Sequence, residues 1–281
     1  MAAGTSSRFV PLSVERPKGL VEVKGEILIE RQIRQLKEAG ITDITLVVGY
    51  KAEMFAYLRD KYAVDIVYNE DFARYNNTSS LIRVIEKLDN TFICSSDNYF
   101  PENVFTRESV DSYYSALYAE GKTNEYCLIT DAEDQITDVK VGGHDSWYMV
   151  GHVFFNHEFS ENFRKLMIKE YCNETTKQGY WEDLYIRYID QLPKMKINRY
   201  QEGDIQEFDS LDELRMFDES YKNDTRSSIV KQICKQLEVE EACVHAFRNI
   251  KHKGNYLQFQ FKVYDDVYEY NAENGIEIKK I

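Results

Sequence analysis

Strand and helix patterns that alternate along the first hundred residues predict an α/β fold. The apolar runs 44–50 and 91–96 have the length and composition of strands that are buried on both faces of a sheet. Stretches with helical spacing separate the strands, so we expect a doubly wound, mostly parallel, Rossmann-like sheet. In such sheets, ligands bind beyond the carboxyl ends of the strands.

The elements of this first part follow one another at short intervals. A strand over 20–23 is broken at Gly25, and apolar residues then recur at helical spacing up to a glycine C-cap at Gly40. The elements after strand 44–50 are predicted to be helix 52–62, strand 66–68 and helix 80–88. Strand 91–96 then leads directly into Asp97.

The middle of the chain has a different pattern. Three predicted strands, 125–130, 135–141 and 147–155, are separated by polar and glycine-containing turns, which indicates an antiparallel insertion. The elements that close this domain are predicted to be helix 158–171, helix 182–189, strand 195–200 and helix 211–217.

The composition becomes strongly polar from about residue 218, which indicates a linker. We therefore predict one large domain over 1–218 and a small C-terminal α+β appendage over 219–281, in which no chemical motif indicates a role. Within the appendage, the apolar spacing predicts a helix over 229–237 and strands over 256–263 and 266–270.

Charge and cysteine content exclude several classes of function. The 281 residues include 35 Lys and Arg against 48 Asp and Glu, a formal net charge of −13, which argues against nucleic acid or an anionic membrane as partner. The five cysteines form no Cys-x-x-Cys pair, so neither a disulfide framework nor a zinc site is indicated. We expect a cytoplasmic protein without membrane insertion, and a homo-oligomer is left open.

Residues 1–18 combine a bare backbone, hydroxyl groups and fixed positive charge. Their small and hydroxyl residues leave backbone N–H groups free to bind phosphate oxygens, and the candidates are Ala2, Ala3, Gly4 and Thr5. Arg8 can fork onto two phosphate oxygens, and Lys18 can act as a point charge on the same group. This combination predicts a loop that holds a triphosphate.

The order Ala-Ala-Gly-x-x-x-Arg-Phe, followed by Pro17 and Lys18, resembles the signature of the nucleotidyltransferase family that includes bacterial CTP:phosphocholine cytidylyltransferases. The alternative is a polar tail with a chance glycine. In the family an apolar strand leads into this signature, whereas here Met1 stands at the place of a residue of that strand. We therefore expect this first strand to be missing from the sheet, which would expose the apolar residues and backbone groups that it would otherwise cover.

The resemblance implies two Mg²⁺ ligands that are far apart in sequence. Asp97 follows an apolar strand, and Asp209 lies in a late strand-to-helix turn, the positions at which the family binds its metal. Mg²⁺ takes oxygen ligands, so carboxylates and phosphate oxygens suit it. The alternatives are a strand-terminal turn residue for Asp97 and a helix cap for Asp209.

The resemblance also implies residues for the base and for the acceptor. The polar loop with Asn76, Ser79 and Ser80 lies where relatives read the nucleobase, although an N-cap cluster would have the same pattern. The residues implied to surround a quaternary ammonium are Tyr126, Tyr180, Trp181 and Glu182. The alternative for Trp181 is helix packing, and Trp147, in an apolar strand, is predicted to lie in the core.

Together these features predict a cytidylyltransferase that transfers CMP from CTP to phosphocholine and releases pyrophosphate. Lys18 would face the reacting phosphates and Arg8 the leaving pyrophosphate, with Mg²⁺ as cofactor. Two alternatives stay open: the same reaction on phosphoethanolamine, aminoethylphosphonate or a sugar phosphate, and a non-catalytic nucleotide-binding protein.

Overall fold

The computed structural model describes residues 1–250, 258–272 and 276–281. Its strands are β1 (Glu22–Val23), β2 (Glu26–Ile27), β3 (Thr45–Val48), β4 (Asp65–Tyr68), β5 (Thr91–Cys94), β6 (Asn98–Tyr99), β7 (Tyr113–Thr130), β8 (Ile136–Phe155), β9 (Lys196–Arg199), β10 (Gln206–Glu207), β11 (Val244–Asn249), β12 (Gln258–Val263), β13 (Asp266–Asn271) and β14 (Glu277–Lys280). Its α-helices are α1 (Leu12–Glu15), α2 (Leu28–Glu38), α3 (Tyr57–Tyr62), α4 (Thr78–Leu81), α5 (His157–Glu170), α6 (Glu174–Gln178), α7 (Trp181–Arg187), α8 (Leu211–Phe217) and α9 (Ser228–Leu237).

The predicted α/β class is confirmed, and the sheet is mixed. Strands β3 and β4 pair in parallel. The larger sheet has the order β5-β8-β7-β9, in which β8 is antiparallel to both of its neighbours and β9 runs parallel to β7. None of the described helices is long and apolar enough to cross a membrane.

The antiparallel insertion consists of two long strands where we predicted three short ones. Strands β7 and β8 form one hairpin, and several register shifts interrupt their pairing. Gly142, at a φ of 81°, lies inside β8, where we predicted a turn. Glycine tolerates the backbone of a bulge, so it did not end the strand.

A cavity of about 620 Å³ separates β3 from β5. Its lining includes the apolar side chains of Ile33, Leu46 and Ile93. Among the described residues, the start of the chain bridges this cavity: the N–H of Ala2 donates to Val47 O of β3 at 2.7 Å, and the N–H of Ser96, just after β5, donates to Met1 O at 3.1 Å. The two sheets therefore share little backbone pairing along this slot.

The C-terminal part forms an antiparallel sheet of the order β11-β12-β13-β14, accompanied by α9. The predicted strand 256–263 corresponds to β12, which begins at Gln258, and residues 256–257 lie outside the described residues. We did not predict β11 or β14. The inner face of this unit shares a hydrophobic core with Phe9, Val10 and Leu12 of the N-terminal loop.

Candidate active site

The N-terminal loop begins at the carboxyl end of β3. The N–H of Tyr50 donates to Ala3 O at 3.1 Å. Gly49 permits this close approach, because a Cβ at this position would lie 2.9 Å from Ala3 O and 2.5 Å from the Cβ of Phe72. Ala2 and Ala3 are buried, whereas Gly4 is exposed and a Cβ on it would meet nothing within 4 Å. The backbone beyond Ala3, including the half-buried Thr5, therefore has free space in which a phosphate fits.

The ammonium group of Lys18 is buried among three carboxylates. Its Nζ lies 3.0 Å from Asp97 Oδ2, 3.8 Å from Asp209 Oδ1 and 4.0 Å from Glu207 Oε1. The side chain of Lys18 is only 6% exposed, and its Nζ lies 5.7 Å from the centroid of the Phe9 ring. A buried ammonium is stable only when charges of opposite sign surround it, and these carboxylates provide them.

Two local arrangements bring these residues together. A Cβ on Gly19 would lie 2.9 Å from Ser96 Oγ, so only glycine lets the turn after Lys18 pack against the chain that precedes Asp97. Strand β6, directly after Asp97, pairs antiparallel with β10, which ends just before Phe208. Residues more than one hundred positions apart thereby meet at one point.

Arg8 lies at the exposed rim of this group. It belongs to a 3-10 turn, Ser7–Phe9, and its guanidinium donates to Asp209 Oδ2 at 2.5 Å. Its side chain is 77% exposed, so it can change partner at little cost. The structure thus brings Arg8 into contact with the same carboxylate that lies near Lys18.

Glu207 is a member of this group that the sequence analysis missed. Burial raises the pKa of its carboxyl group to about 7, and repulsion from Asp97 adds to the rise. The signal was its position two residues before Asp209, because residues i and i+2 of an extended chain point to the same side.

The carboxylates of Asp97, Glu207 and Asp209 are candidate ligands for a divalent cation. They offer only oxygen donors, which are the ligands that Mg²⁺ prefers, and they already converge on one positive group, the ammonium of Lys18. Among the described residues, no group of three or more His, Cys, Asp or Glu is arranged to hold a metal as it stands. The fit to Mg²⁺ thus rests on the chemistry of the oxygen donors and not on their present arrangement.

The serines of the predicted base loop are buried. The amide of Asn69 donates to Ser79 Oγ at 2.8 Å and to Ser80 Oγ at 3.0 Å. The prediction that these two hydroxyls face a nucleobase is therefore wrong, because they lie inside α4 and serve the packing of the loop. Asn76 is exposed, and its side-chain amide donates to Gln178 O.

The burial of the two tryptophans differs from our prediction: Trp181 lies in the core, and Trp147 is only partly buried. Trp181 is 1% exposed and stacks on Tyr114 with ring centroids 5.8 Å apart, with Phe155 and Phe163 edge-on to it. The prediction that its ring faces a ligand is wrong. Consecutive helical residues point about 100° apart, so a tryptophan followed by two acidic residues can still face the core.

Trp147, predicted to be a core residue, is only half-buried. The Arg199 guanidinium lies 5.4 Å from the centroid of its indole, and the Tyr118 ring lies 5.3 Å away at an angle of 66°. Its partly buried ring packs against the edge of the core, and the apolar pattern of the strand did not reveal this partial exposure.

The start of α7 is surrounded by a tyrosine–carboxylate cluster that consists of Tyr126, Tyr180, Glu182 and Asp183. Glu182 accepts hydrogen bonds from Tyr114 Oη at 3.1 Å and from Asn77 Nδ2 at 3.0 Å, and burial raises its pKa to about 7. Tyr126 Oη donates to Asp183 Oδ1 at 2.8 Å. The other tyrosine of the cluster, Tyr180, is 46% exposed.

These groups are close enough to influence one another's charge. Burial, followed by the bond to Asp183, raises the pKa of Tyr126, and the charges of Glu182 and Tyr180 add to the rise. Burial also raises the pKa of Tyr114, as do the charges of Glu182 and, more weakly, Glu207.

Comparisons with known proteins show the family to which the chain belongs. A family model described as the MobA-like NTP transferase domain matches residues 1–131. The choline-phosphate cytidylyltransferase of Streptococcus pneumoniae is 34% identical over 224 residues, which cover 80% of this chain and 97% of that protein. The 2-aminoethylphosphonate cytidylyltransferase of Lancefieldella rimae is 33% identical over 225 residues, which cover 79% of this chain and 91% of that protein.

Solved structures give the same result. The CTP:phosphocholine cytidylyltransferase from Streptococcus pneumoniae matches with a TM-score of 0.75 at 34% identity, covering 79% of this chain and 96% of that one. The inositol-1-phosphate CTP transferase from T. maritima, at 15% identity and a TM-score of 0.58, covers 84% of this chain and 94% of that one and is similar in fold.

Proposed function

Because this chain belongs to the nucleotidyltransferase family of the bacterial choline-phosphate cytidylyltransferases, we propose that it transfers CMP from CTP to phosphocholine, giving CDP-choline and pyrophosphate. The observation that carries the proposal is the convergence of Lys18, Asp97 and Asp209 beside a loop whose backbone has room for phosphates. The five free cysteines support the expectation that the reaction takes place in the reducing cytoplasm.

The chain's own residues account for most of the proposed reaction. The backbone of residues 2–5 binds the triphosphate, and a phosphate oxygen of phosphocholine attacks the α-phosphorus in line with the leaving pyrophosphate. Lys18 stabilises the charge that develops on the reacting phosphates, and Arg8 exchanges Asp209 for the pyrophosphate. Mg²⁺ held by Asp97 and Asp209 would supply further neutralisation of the phosphate charge.

We propose that the tyrosine–carboxylate cluster at the start of α7 binds the trimethylammonium group. A quaternary ammonium donates no N–H bonds, so ring faces and negative charge must hold it. Tyr126, Tyr180, Glu182 and Asp183 offer two rings and two carboxylates, whereas Trp181 supports them from the core. On the nucleotide side, Asn76 and the backbone beside it stay the candidates for reading the base.

A primary ammonium is the second candidate acceptor. The relative from Lancefieldella rimae is named a 2-aminoethylphosphonate cytidylyltransferase, and its identity to this chain is nearly as high. A primary ammonium needs hydrogen-bond acceptors, which Glu182 and Asp183 can provide. The two acceptors therefore compete for the same cluster.

Pyrophosphate release tests the proposal. The purified protein is assayed with Mg²⁺, each of the four nucleoside triphosphates and a panel of phosphocholine, phosphoethanolamine, 2-aminoethylphosphonate and sugar phosphates. We expect the highest kcat/KM with CTP and phosphocholine, and Lys18→Met serves as the inactive control. A preference for 2-aminoethylphosphonate favours the second candidate, and no release with any pair indicates a non-catalytic nucleotide-binding protein.

One substitution separates acceptor binding from nucleotide binding. Tyr126→Leu removes a ring face but keeps apolar bulk, and a desolvated cation–π contact of about 2 kcal/mol corresponds to a loss of about thirtyfold in kcat/KM for phosphocholine. The KM for CTP is expected to stay within about twofold. An unchanged kcat/KM for phosphocholine would exclude the ring of Tyr126 from the acceptor site.

A further inference from the structure

The described residues of the C-terminal segment, 219–281, pack against the N-terminal loop of residues 1–18 (the phosphate loop). Phe9, Val10 and Leu12 are buried in one core with residues of α9 and of the C-terminal sheet, among them Ile233 and Phe261. Phe9 is the neighbour of Arg8 in the chain, and its ring lies under the ammonium of Lys18. The two cationic residues of the loop are therefore placed over a core to which the C-terminal segment contributes.

A polar contact links the same two parts. Glu15 ends α1 within the loop, and its Oε1 accepts hydrogen bonds from the N–H of Ile229 at 2.9 Å and from the hydroxyl of Ser228. These donors belong to the first turn of α9, where the helix dipole favours a negative charge. Glu15 thus occupies a helix N-terminus more than two hundred residues away in the sequence.

Two further bonds hold the chain just after Lys18. Tyr221 Oη donates to Glu22 O at 2.6 Å, and Asp218 Oδ2 accepts from the N–H of Lys24 at 2.7 Å. Contacts with residues 218–229 therefore hold the loop on both sides of Lys18.

The Streptococcus pneumoniae relative corresponds to only part of this chain. The Streptococcus pneumoniae protein is matched over 97% of its length by only 80% of this chain, so about a fifth of this chain has no counterpart there. The C-terminal segment is similar in length to this unmatched part.

We propose that residues 219–281 pre-order the phosphate loop, and that Glu15 is the positioning residue that couples α9 to Arg8 and Lys18. The inference rests on the proposed function for what the loop binds. Ordering a backbone residue costs about 1–2 kcal/mol, so a loop that is ordered before the nucleotide arrives binds it more tightly. The effect belongs to nucleotide affinity and leaves the acceptor site unaffected.

The test compares three full-length variants. Glu15→Ala removes both hydrogen bonds to α9, Glu15→Gln keeps an acceptor oxygen without the charge, and Gln236→Ala changes an exposed position on the same helix as a control. We expect Glu15→Ala to raise the KM for CTP about tenfold, the size of one lost charge-assisted bond, while the KM for phosphocholine stays within about twofold. Glu15→Gln is expected to restore most of the affinity, and Gln236→Ala to match the parent protein.

Hydrogen–deuterium exchange provides a readout that does not depend on turnover. In Glu15→Ala, amides of residues 5–18 are expected to exchange at least about tenfold faster, with little change in α5. An unchanged KM for CTP and unchanged exchange would overturn the inference while the proposed function stands. Faster exchange in a protein whose parent turns over no CTP would support the coupling and overturn the proposed function instead. A loss of protection throughout the chain would show a general role of Glu15 in stability and overturn the inference.

Discussion

At the scale of single residues, the site depends on how one buried ammonium is neutralised. Lys18 cannot lose its carboxylate partners without leaving a charge in a medium of low dielectric constant. Burial raises the pKa of Glu207, and repulsion from Asp97 adds to the rise, so these partners also repel one another.

Asp97→Asn tests the role of this carboxylate. The amide keeps the shape but loses the charge that holds a divalent ion against its hydration shell, so we expect turnover to fall by at least about a hundredfold. The kcat with CTP and phosphocholine at several Mg²⁺ concentrations measures the effect. Glu125→Gln, at an exposed position, is the control, and activity that survives excess chelator would contradict the metal assignment.

Glu182 predicts how stability depends on pH. Its pKa is about 7 in the folded protein and about 4.3 in an unfolded chain, so the folded state holds the proton more tightly. The resulting stability is fully present below pH 4.3 and is lost as the pH rises through 7. We expect Glu182→Gln to remove this loss, making the variant more stable than the parent by about 2–3 kcal/mol at pH 8 and similar at pH 4.

Urea unfolding of both proteins at pH 4, 6 and 8 measures this difference. Glu125→Gln serves again as the control, since that carboxylate is exposed on the neighbouring strand. A difference between Glu182→Gln and the parent that does not change with pH would show that Glu182 is ionised throughout the range.

At the scale of elements, α7 shows why the two tryptophans were misassigned. The helix is only seven residues long, and its first residue turns into the core while the next two face the tyrosine–carboxylate cluster. A pattern of neighbouring residue types does not record this rotation. The hairpin β7–β8 shows the opposite error. Trp147 lies in an apolar strand segment, yet its ring packs only against the edge of the core and is partly exposed.

Trp181→Leu distinguishes packing from ligand binding. Loss of ring volume in the core is expected to lower the free energy of unfolding by about 2–3 kcal/mol, with the KM for phosphocholine changed by less than about threefold. Urea unfolding and steady-state kinetics measure the two effects. Trp147→Leu, at a half-buried position, is expected to cost less than about 1 kcal/mol. A stable Trp181→Leu protein that no longer uses phosphocholine would return Trp181 to the acceptor site.

At the scale of the whole molecule, the cavity between β3 and β5 forms a slot that separates the β3–β4 sheet from the larger sheet. The α-ammonium of Met1 lies buried at its end and donates to Cys94 O, and burial lowers the pKa of this ammonium. A charged group at this position is costly, whereas a peptide N–H would make the same bond without a charge. Apolar side chains, among them Leu46 and Ile93, line the slot.

An apolar extension of about five residues ahead of Met1 is therefore expected to stabilise the protein. It would add ladder hydrogen bonds on two sides, bury apolar side chains in the cavity and replace the buried ammonium. We expect the melting temperature to rise by about 5–10 °C, as measured by calorimetry. A Gly/Ser extension of equal length is the control, and an equal melting temperature in both would show that the slot accepts no strand.

The sequence by itself predicted the α/β class and the order of most elements, and it indicated Arg8, Lys18, Asp97 and Asp209 as candidate site residues. These features depend on neighbouring residues, because periodicity, turns and motifs are local. Only the tertiary structure showed that Glu207 lies beside Lys18 and that Ser79 and Trp181 are buried. It also showed that the C-terminal segment packs against the phosphate loop. Burial and contact depend on residues that are often a hundred or more positions apart, and no local pattern contains that information.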